Sequence, residues 1–332
     1  MRFAFTDDQV AFRDAVRDLL AKECPPEVVR AAWPEGEVPG GAKPGEGARA
    51  DADRLDAVWR ALADMGVLGI AVAEEHGGLG MDELNWVLIA EETGYAALPH
   101  PFVETVCVAA PLLGRADLAD GSATATVQPG RDEPVPWASA DVLLAIDRDA
   151  WTLTVHDEWE ADAVASVDGA RQLASVRASG GEEVGGAALA FDRGALGTAA
   201  QLVGLGRRML DLTVAYVVER KQFGVQIGSF QAVKHHLADA ALDLTFAAPA
   251  VHRAAWSLAT ASPDASRDVS MAKAMASDAA HRAGRAALQC HGAIGYTVEY
   301  DLHLYVERAA ALSRAWGTAA WHRGRVGRAL EI

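Results

Sequence analysis

Along most of this chain apolar side chains recur at three- and four-residue intervals, the spacing that lines one face of an α-helix. Only between about residues 123 and 191 does the pattern shorten to the compact runs typical of strands. Phe12, Val16, Leu19 and Leu20 share a face behind Thr6 and Gln9, whose spacing is that of a capping box, so a first helix is predicted from about residue 7 to 21. Pro and Gly crowd residues 34–50, which read as an exposed loop, after which Trp59, Leu62 and Met65, then Leu84, Val87, Leu88 and Ile89, restore helical patterning. Ala123–Val127, Val142–Ile146 and Trp151–Val155, bounded by Pro, Gly and Asp, predict short strands. After Gly197, Leu202, Leu205, Met209, Leu212 and Tyr216 form a helical stripe; Val233, Leu237, Ala240 and Leu244 form another, which Ser262-Pro263 ends. The stretches 266–288 and 299–329 predict two more long helices. The expected fold class is therefore α+β: an N-terminal helical domain (1–110), a small β domain (111–192) and a C-terminal up-and-down four-helix bundle (193–332).

At 332 residues and 51% hydrophobic the chain can bury a large core and build two or three domains. A formal charge of −16 argues against nucleic acid or an anionic membrane as the main partner. Cys24, Cys107 and Cys290 are scattered without pair spacing, the pattern of reduced thiols and of neither a disulfide framework nor a zinc site. There is no apolar leader core and no run of membrane-spanning length, so a cytoplasmic location is expected.

Candidate chemistry concentrates between the first two long helices, in Arg220-Lys221-Gln222-Phe223-Gly224 and the following Phe230-Gln231. Arg220 offers a planar, permanently charged fork suited to phosphate oxygens, Gln222 and Gln231 can donate and accept, and Phe223 offers a flat apolar face. The same residues also suit a plain helix C-terminus followed by a glycine turn. His235 and His236 read as a partly buried polar pair at a helix start. Gly204-Leu205-Gly206 lies inside a helical pattern without a preceding strand and is no dinucleotide fingerprint.

The Arg220–Gln231 run resembles the signature of the flavin-dependent acyl-CoA dehydrogenases, in which a similar motif holds the FAD diphosphate and adenine side of a neighbouring subunit. Gln289-Cys290-His291-Gly292-Ala293 resembles the loop of that family that receives the same half of FAD, where small residues let backbone N–H groups approach a diphosphate. Phe5–Gln9 and the segments Met65–Ile70 and Glu75–Gly80 look like the family's N-terminal domain. The resemblance implies FAD as cofactor and an acyl-CoA thioester as substrate, desaturated when a carboxylate takes the α-proton.

That carboxylate is missing from both places where the family carries it. Ala315-Trp316-Gly317-Thr318 matches the Tyr-Glu-Gly-Thr motif with Trp316 at the glutamate position, and an indole has no lone pair to take a proton; Thr318 keeps the motif's last residue as a cofactor contact. The family's alternative position corresponds to Gly194. Glu299 is a substitute better explained as a helix-start residue, with Asp301 and Glu307 close by in sequence. The flavin-lining motifs of the β domain are not found, and that domain is shortened by comparison with the family. The resemblance is thus to the degenerate subunit of actinobacterial α2β2 acyl-CoA dehydrogenases that act on CoA thioesters of steroid side chains: a homologous catalytic chain supplies flavin groove and base, while this chain supplies Arg220, Gln222, Phe223, Gln231 and the Gln289–Ala293 loop. A homomeric dehydrogenase with an unusual base and a non-catalytic scaffold or CoA-ester-binding protein are the alternatives.

Overall fold

The computed structural model describes residues 4–33 and 52–331; the loop expected at 34–50 lies outside them. Helix α1 (Asp7–Glu23) opens on the expected capping box, Thr6 Oγ1 accepting from Gln9 N at 3.2 Å and Gln9 Oε1 from Thr6 N at 2.9 Å. It is followed by α2 (Pro26–Ala31), α3 (Ala52–Asp64) and α4 (Glu83–Tyr95). Val103–Ala109 is then a π-helical stretch, a widened turn in which every side chain is buried, running into α5 (Ala110–Leu113) and α6 (Ala116–Ala119). No helix among the described residues is long and apolar enough to cross a membrane.

The β layer holds β1 (Ala125–Gln128), β2 (Val142–Asp147), β3 (Thr152–His156), β4 (Glu160–Ala163), β5 (Ala174–Arg177) and β6 (Glu182–Val184). One sheet runs in the order β1-β2-β3-β6, with β1 parallel to β2 and the other pairs antiparallel; β4 and β5 form a separate antiparallel pair. Val142, Leu143 and Leu144 are buried in succession, which explains a continuous apolar run where an alternating one would mark a half-exposed strand. Between β4 and β5 the loop 164–173 turns inward, and the buried Asp168 pairs with Arg308 of the C-terminal helices.

Helix α7 (Ala187–Glu219) begins ten residues before Gly197, where the sequence pattern starts it, because Ala187, Ala190 and Phe191 already pack into the core. It lies against α4, α8 (Gln231–Ala259), α9 (Ala265–His291) and α10 (Leu302–Arg314). At the α4 crossing the two backbones touch: a Cβ at Gly204 would meet Glu91 O at 1.9 Å, and one at Gly94 would meet Gln201 O at 2.2 Å. Gly204 is thus a helix-packing glycine. Beside this contact Glu92 receives Arg17 at 2.8 Å and Arg207 at 3.3 Å, so the carboxylates that α4 buries are paired.

Two expectations are corrected here. The long helix read over 299–329 is two helices, α10 and α11 (Ala319–Ala329), because Trp316 and Gly317 both adopt left-handed φ values, 58° and 93°, that no helix can contain. His235 and His236 are exposed on the first turns of α8, not partly buried, since only its Ala240 and Leu244 side reaches the core.

Candidate functional site

The first site is the corner between α7 and α8. Arg220 caps α7, Lys221–Gln222 and Val225–Gln226 pair as a two-stranded hairpin (β7 and β8), and a 3-10 turn leads to Gln231, the first residue of α8. Phe223 sits at the hairpin tip with φ 52° beside Gly224 at 81°, and is 93% exposed. Arg220, Gln222 and Gln231 are exposed as well, and Arg220 makes no ion pair among the described residues. The ring meets only the edge of Phe230, at 6.3 Å between centroids, and leaves the rest of its surface to solvent.

Gln289–Ala293, expected as a loop, is the last turn of α9 and the start of a 3-10 turn (Gly292–Tyr296), since the helix ends only at Gly292 with its positive φ, and it lies beside this corner. The His291 ring stacks on Tyr216, one turn before Arg220, at 4.3 Å between centroids. His291 Nδ1–H donates to Ala287 O at 2.8 Å, burial lowers the ring's basicity, and its buried Nε2 has no hydrogen-bond partner. Gly292 has φ 64° and ψ −142°, open only to glycine, with nothing within 4 Å of where a Cβ would be. Gln289, Gly292 and Ala293 are exposed and Cys290 is buried, its thiol pushed up by burial. The two sequence motifs therefore form one continuous outward-facing edge.

The second site is a cleft of about 740 Å³ between the β layer and the turn joining α10 to α11. Trp316, Gly317 and the exposed Thr318 line it, and Thr318 also caps α11 through Trp321 N at 3.2 Å. Beneath the turn two buried bases hold its carbonyls: Lys273 Nζ donates to Gly317 O at 3.2 Å and Ser313 O at 3.3 Å, and His322 Nε2–H donates to Trp316 O at 2.9 Å. Burial lowers Lys273 to about 7, and burial with the neighbouring Lys273 charge lowers His322 to about 3. These bonds fix Trp316 in its left-handed backbone.

Trp316 is 2% exposed and its indole lies over Gly194, where an added Cβ would come within 2.4 Å of the ring. The two positions read separately from the sequence face each other across α7, and neither carries a carboxylate. Glu299 is exposed and does not line the cleft, Asp301 pairs with Arg30, and Glu307 is pushed up to about 7 by burial and by Asp168.

The sequence reading missed the acid that does line the cleft. Glu104 projects from the π-helical stretch, 6% exposed, and accepts from Trp137 Nε1 at 3.1 Å. Burial pushes its carboxyl above the usual range, against the opposing pull of Arg171 and of the Trp137 and Trp316 N–H groups. Arg171, on the inward loop, lines the same cleft. A π-helical turn aimed by long-range packing leaves no periodic signal that would have singled Glu104 out.

Sequence comparison places this architecture. The model of the acyl-CoA dehydrogenase N-terminal domain matches residues 6–117 and that of the C-terminal domain residues 185–331. Acyl-CoA dehydrogenase IpdE2 of Mycolicibacterium smegmatis is 34% identical over 319 residues, covering 94% of this chain and 95% of the relative. The chain belongs to the acyl-CoA dehydrogenase family. Its enzyme class is accordingly that of the acyl-CoA dehydrogenase oxidoreductases. The same fold occurs in the ChsE4-ChsE5 complex from Mycobacterium tuberculosis, with a TM-score of 0.80, 24% identity and coverage of 100% of this chain and 99% of that one. The Tcur3481-Tcur3483 steroid acyl-CoA dehydrogenase matches with a TM-score of 0.81 and 21% identity, covering 98% of each chain.

Proposed function

We propose that this chain is the non-base-bearing subunit of a heteromeric acyl-CoA dehydrogenase, completing the FAD site of a homologous catalytic chain. The observation that carries the reading is the contrast between the two sites: Arg220, Gln222, Phe223 and Gln231 stand exposed, their side chains tied to the described residues of their own chain only by the Phe223–Phe230 edge contact and a Gln231–His235 hydrogen bond of 3.4 Å, while the places for the base are filled by Trp316 and Gly194.

The outward edge suits a diphosphate. Arg220 gives a permanently charged fork, Gln222 and Gln231 give adaptable donors, Gly224 and Gly292 leave their backbone open to approach, and Phe223 gives an apolar platform for a ring. His291 Nε2, buried and unpaired beside Tyr216, is an acceptor suited to a hydroxyl or amino group of the ligand and not to its phosphates. We assign Arg220, Gln222, Phe223, Gln231 and Gln289–Ala293 to binding FAD held in the main by the partner. Bound there, FAD supplies the acceptor for the substrate hydride; this chain's residues bind and orient it. Thr318 lines the other cleft and is left without a flavin role in this arrangement.

That two relatives of the same fold are described as complexes of two different chains supports an α2β2 assembly. That one of them is a steroid acyl-CoA dehydrogenase makes a steroid side-chain CoA thioester the substrate class to test first.

The test is the visible flavin spectrum and the FAD content of the chain purified alone and co-purified with a homologous, base-bearing acyl-CoA dehydrogenase chain from the same source. About one FAD per two chains in the complex and none in the isolated chain is the expected result. One FAD per isolated chain, with turnover of an acyl-CoA, would replace this reading with a homomeric enzyme.

A further inference from the structure

The Trp316 cleft holds charge that the shared-FAD reading does not use. Arg171 is 7% exposed and lines both this cleft and a small cavity behind it, yet among the described residues its guanidinium makes no hydrogen bond or ion pair. Its charge is felt by Asp168 and Glu104, but Asp168 is committed to Arg308 and Glu104 accepts from Trp137. The side chain is buried but its N–H groups reach the open cleft with no protein acceptor there among the described residues, so they stand ready for a ligand that brings one.

The rest of the lining defines that ligand. At the rim Arg314 is exposed and makes no ion pair among the described residues, while Arg148 is neutralised by Glu133. The cleft therefore keeps a surplus of positive charge. Between these polar points its walls are apolar, from Val127, Pro134, Val167, Leu173 and the Trp321 ring. Such a lining excludes a small hydrated anion and favours an anion on an apolar skeleton.

We propose that this cleft binds a carboxylate carried on an apolar skeleton, with Arg171 as the carboxylate's partner. The site belongs to this chain alone and holds whether or not FAD binds at the α7–α8 edge. The carboxylate can come from a free acid or from the far end of a dicarboxylic acyl thioester.

The experiment titrates the full-length chain with octanoate, with 1-octanol as its neutral counterpart, and with octanoyl-CoA and its carboxylate-ended analogue suberyl-CoA, following tryptophan fluorescence and heat. Octanoate should bind about tenfold or more tightly than octanol, the worth of one charge-assisted hydrogen bond. Arg171→Met should abolish that preference and leave octanol binding unchanged, while Arg171→Lys, a variant that keeps the charge should Arg171→Met fail to fold, should retain part of it. Preference for suberyl-CoA over octanoyl-CoA identifies the thioester as the source; octanoate binding with both thioesters excluded identifies a free acid. Equal affinity for octanoate and octanol, no binding of either, or an intact preference in Arg171→Met would overturn the proposal.

Discussion

The Trp316 indole lies directly over the Cα of Gly194, so that a single methyl at residue 194 would sit 2.4 Å from the ring. The absence of a side chain at one position and the oversized side chain at the other are a single packing solution, and neither residue can change alone at low cost. Gly194→Ala should destabilise the fold by about 1–3 kcal/mol through overpacking, and Trp316→Ala by about 3–5 kcal/mol through the cavity it leaves. The double variant should be more stable than the sum of the two losses by about 0.5–3 kcal/mol, as measured by urea unfolding. Strict additivity would mean that the two residues do not bear on each other.

Substitutions at the outward edge should behave in the opposite way. Phe223 is 93% exposed and Arg220 is exposed at the end of α7. Phe223→Ala and Arg220→Ala should each leave the stability of the isolated chain within about 0.5 kcal/mol. In the two-chain complex the same changes should lower FAD retention through gel filtration, more for Arg220 because it alone brings a fixed charge.

Stability should rise with pH above neutrality because of Lys273. Its folded value is about 7 against an ordinary 10.5, so between these the unfolded chain binds a proton that the folded chain does not. His322, lowered to about 3 from 6.5, acts in the same direction on the acid side, where stability is lost as pH falls through that window. Glu307, raised to about 7 from 4.5, opposes it between those two values and is silent above. Over about pH 7 to 8.5 Lys273 should therefore contribute about 1–2 kcal/mol of added stability. Thermal unfolding of the Lys273→Met variant should lose that rise.

The Asp168–Arg308 pair ties the inward loop of the β layer to α10, with side chains only 1% and 5% exposed. Arg308 also donates to Leu98 O at 2.9 Å, so one guanidinium joins the three structural layers. Asp168→Asn leaves that charge buried without its counter-ion and should cost about 3–5 kcal/mol. If the pair only bridged solvent-exposed surfaces, the loss in urea unfolding would stay below about 1 kcal/mol.

Much of this architecture was legible in the residues. The Thr6–Gln9 capping box, the 3.6-residue apolar stripes of α1, α7 and α8 and the short apolar strand runs of the β layer are all local properties of the chain. The Arg220–Gln231 corner was legible for a related reason: it is a turn, where spacing along the chain is spacing in space. The break at Ala315–Thr318 was hidden because its apolar flanks continue the helical pattern, and a left-handed Trp316 is stable only with Lys273 and His322 bonded to the turn from below.

By itself the sequence determined most of the helical and strand segments, the exposed Arg220–Gln231 turn and the lack of a carboxylate at residues 194 and 316, since each depends on residue identity and short-range spacing. Tertiary structure alone decided that Gly194 and Trp316 fill one another's space and that Glu104 and Arg171 line one cleft. Such contacts join segments far apart in the chain, and packing brings them together where no periodicity records the meeting.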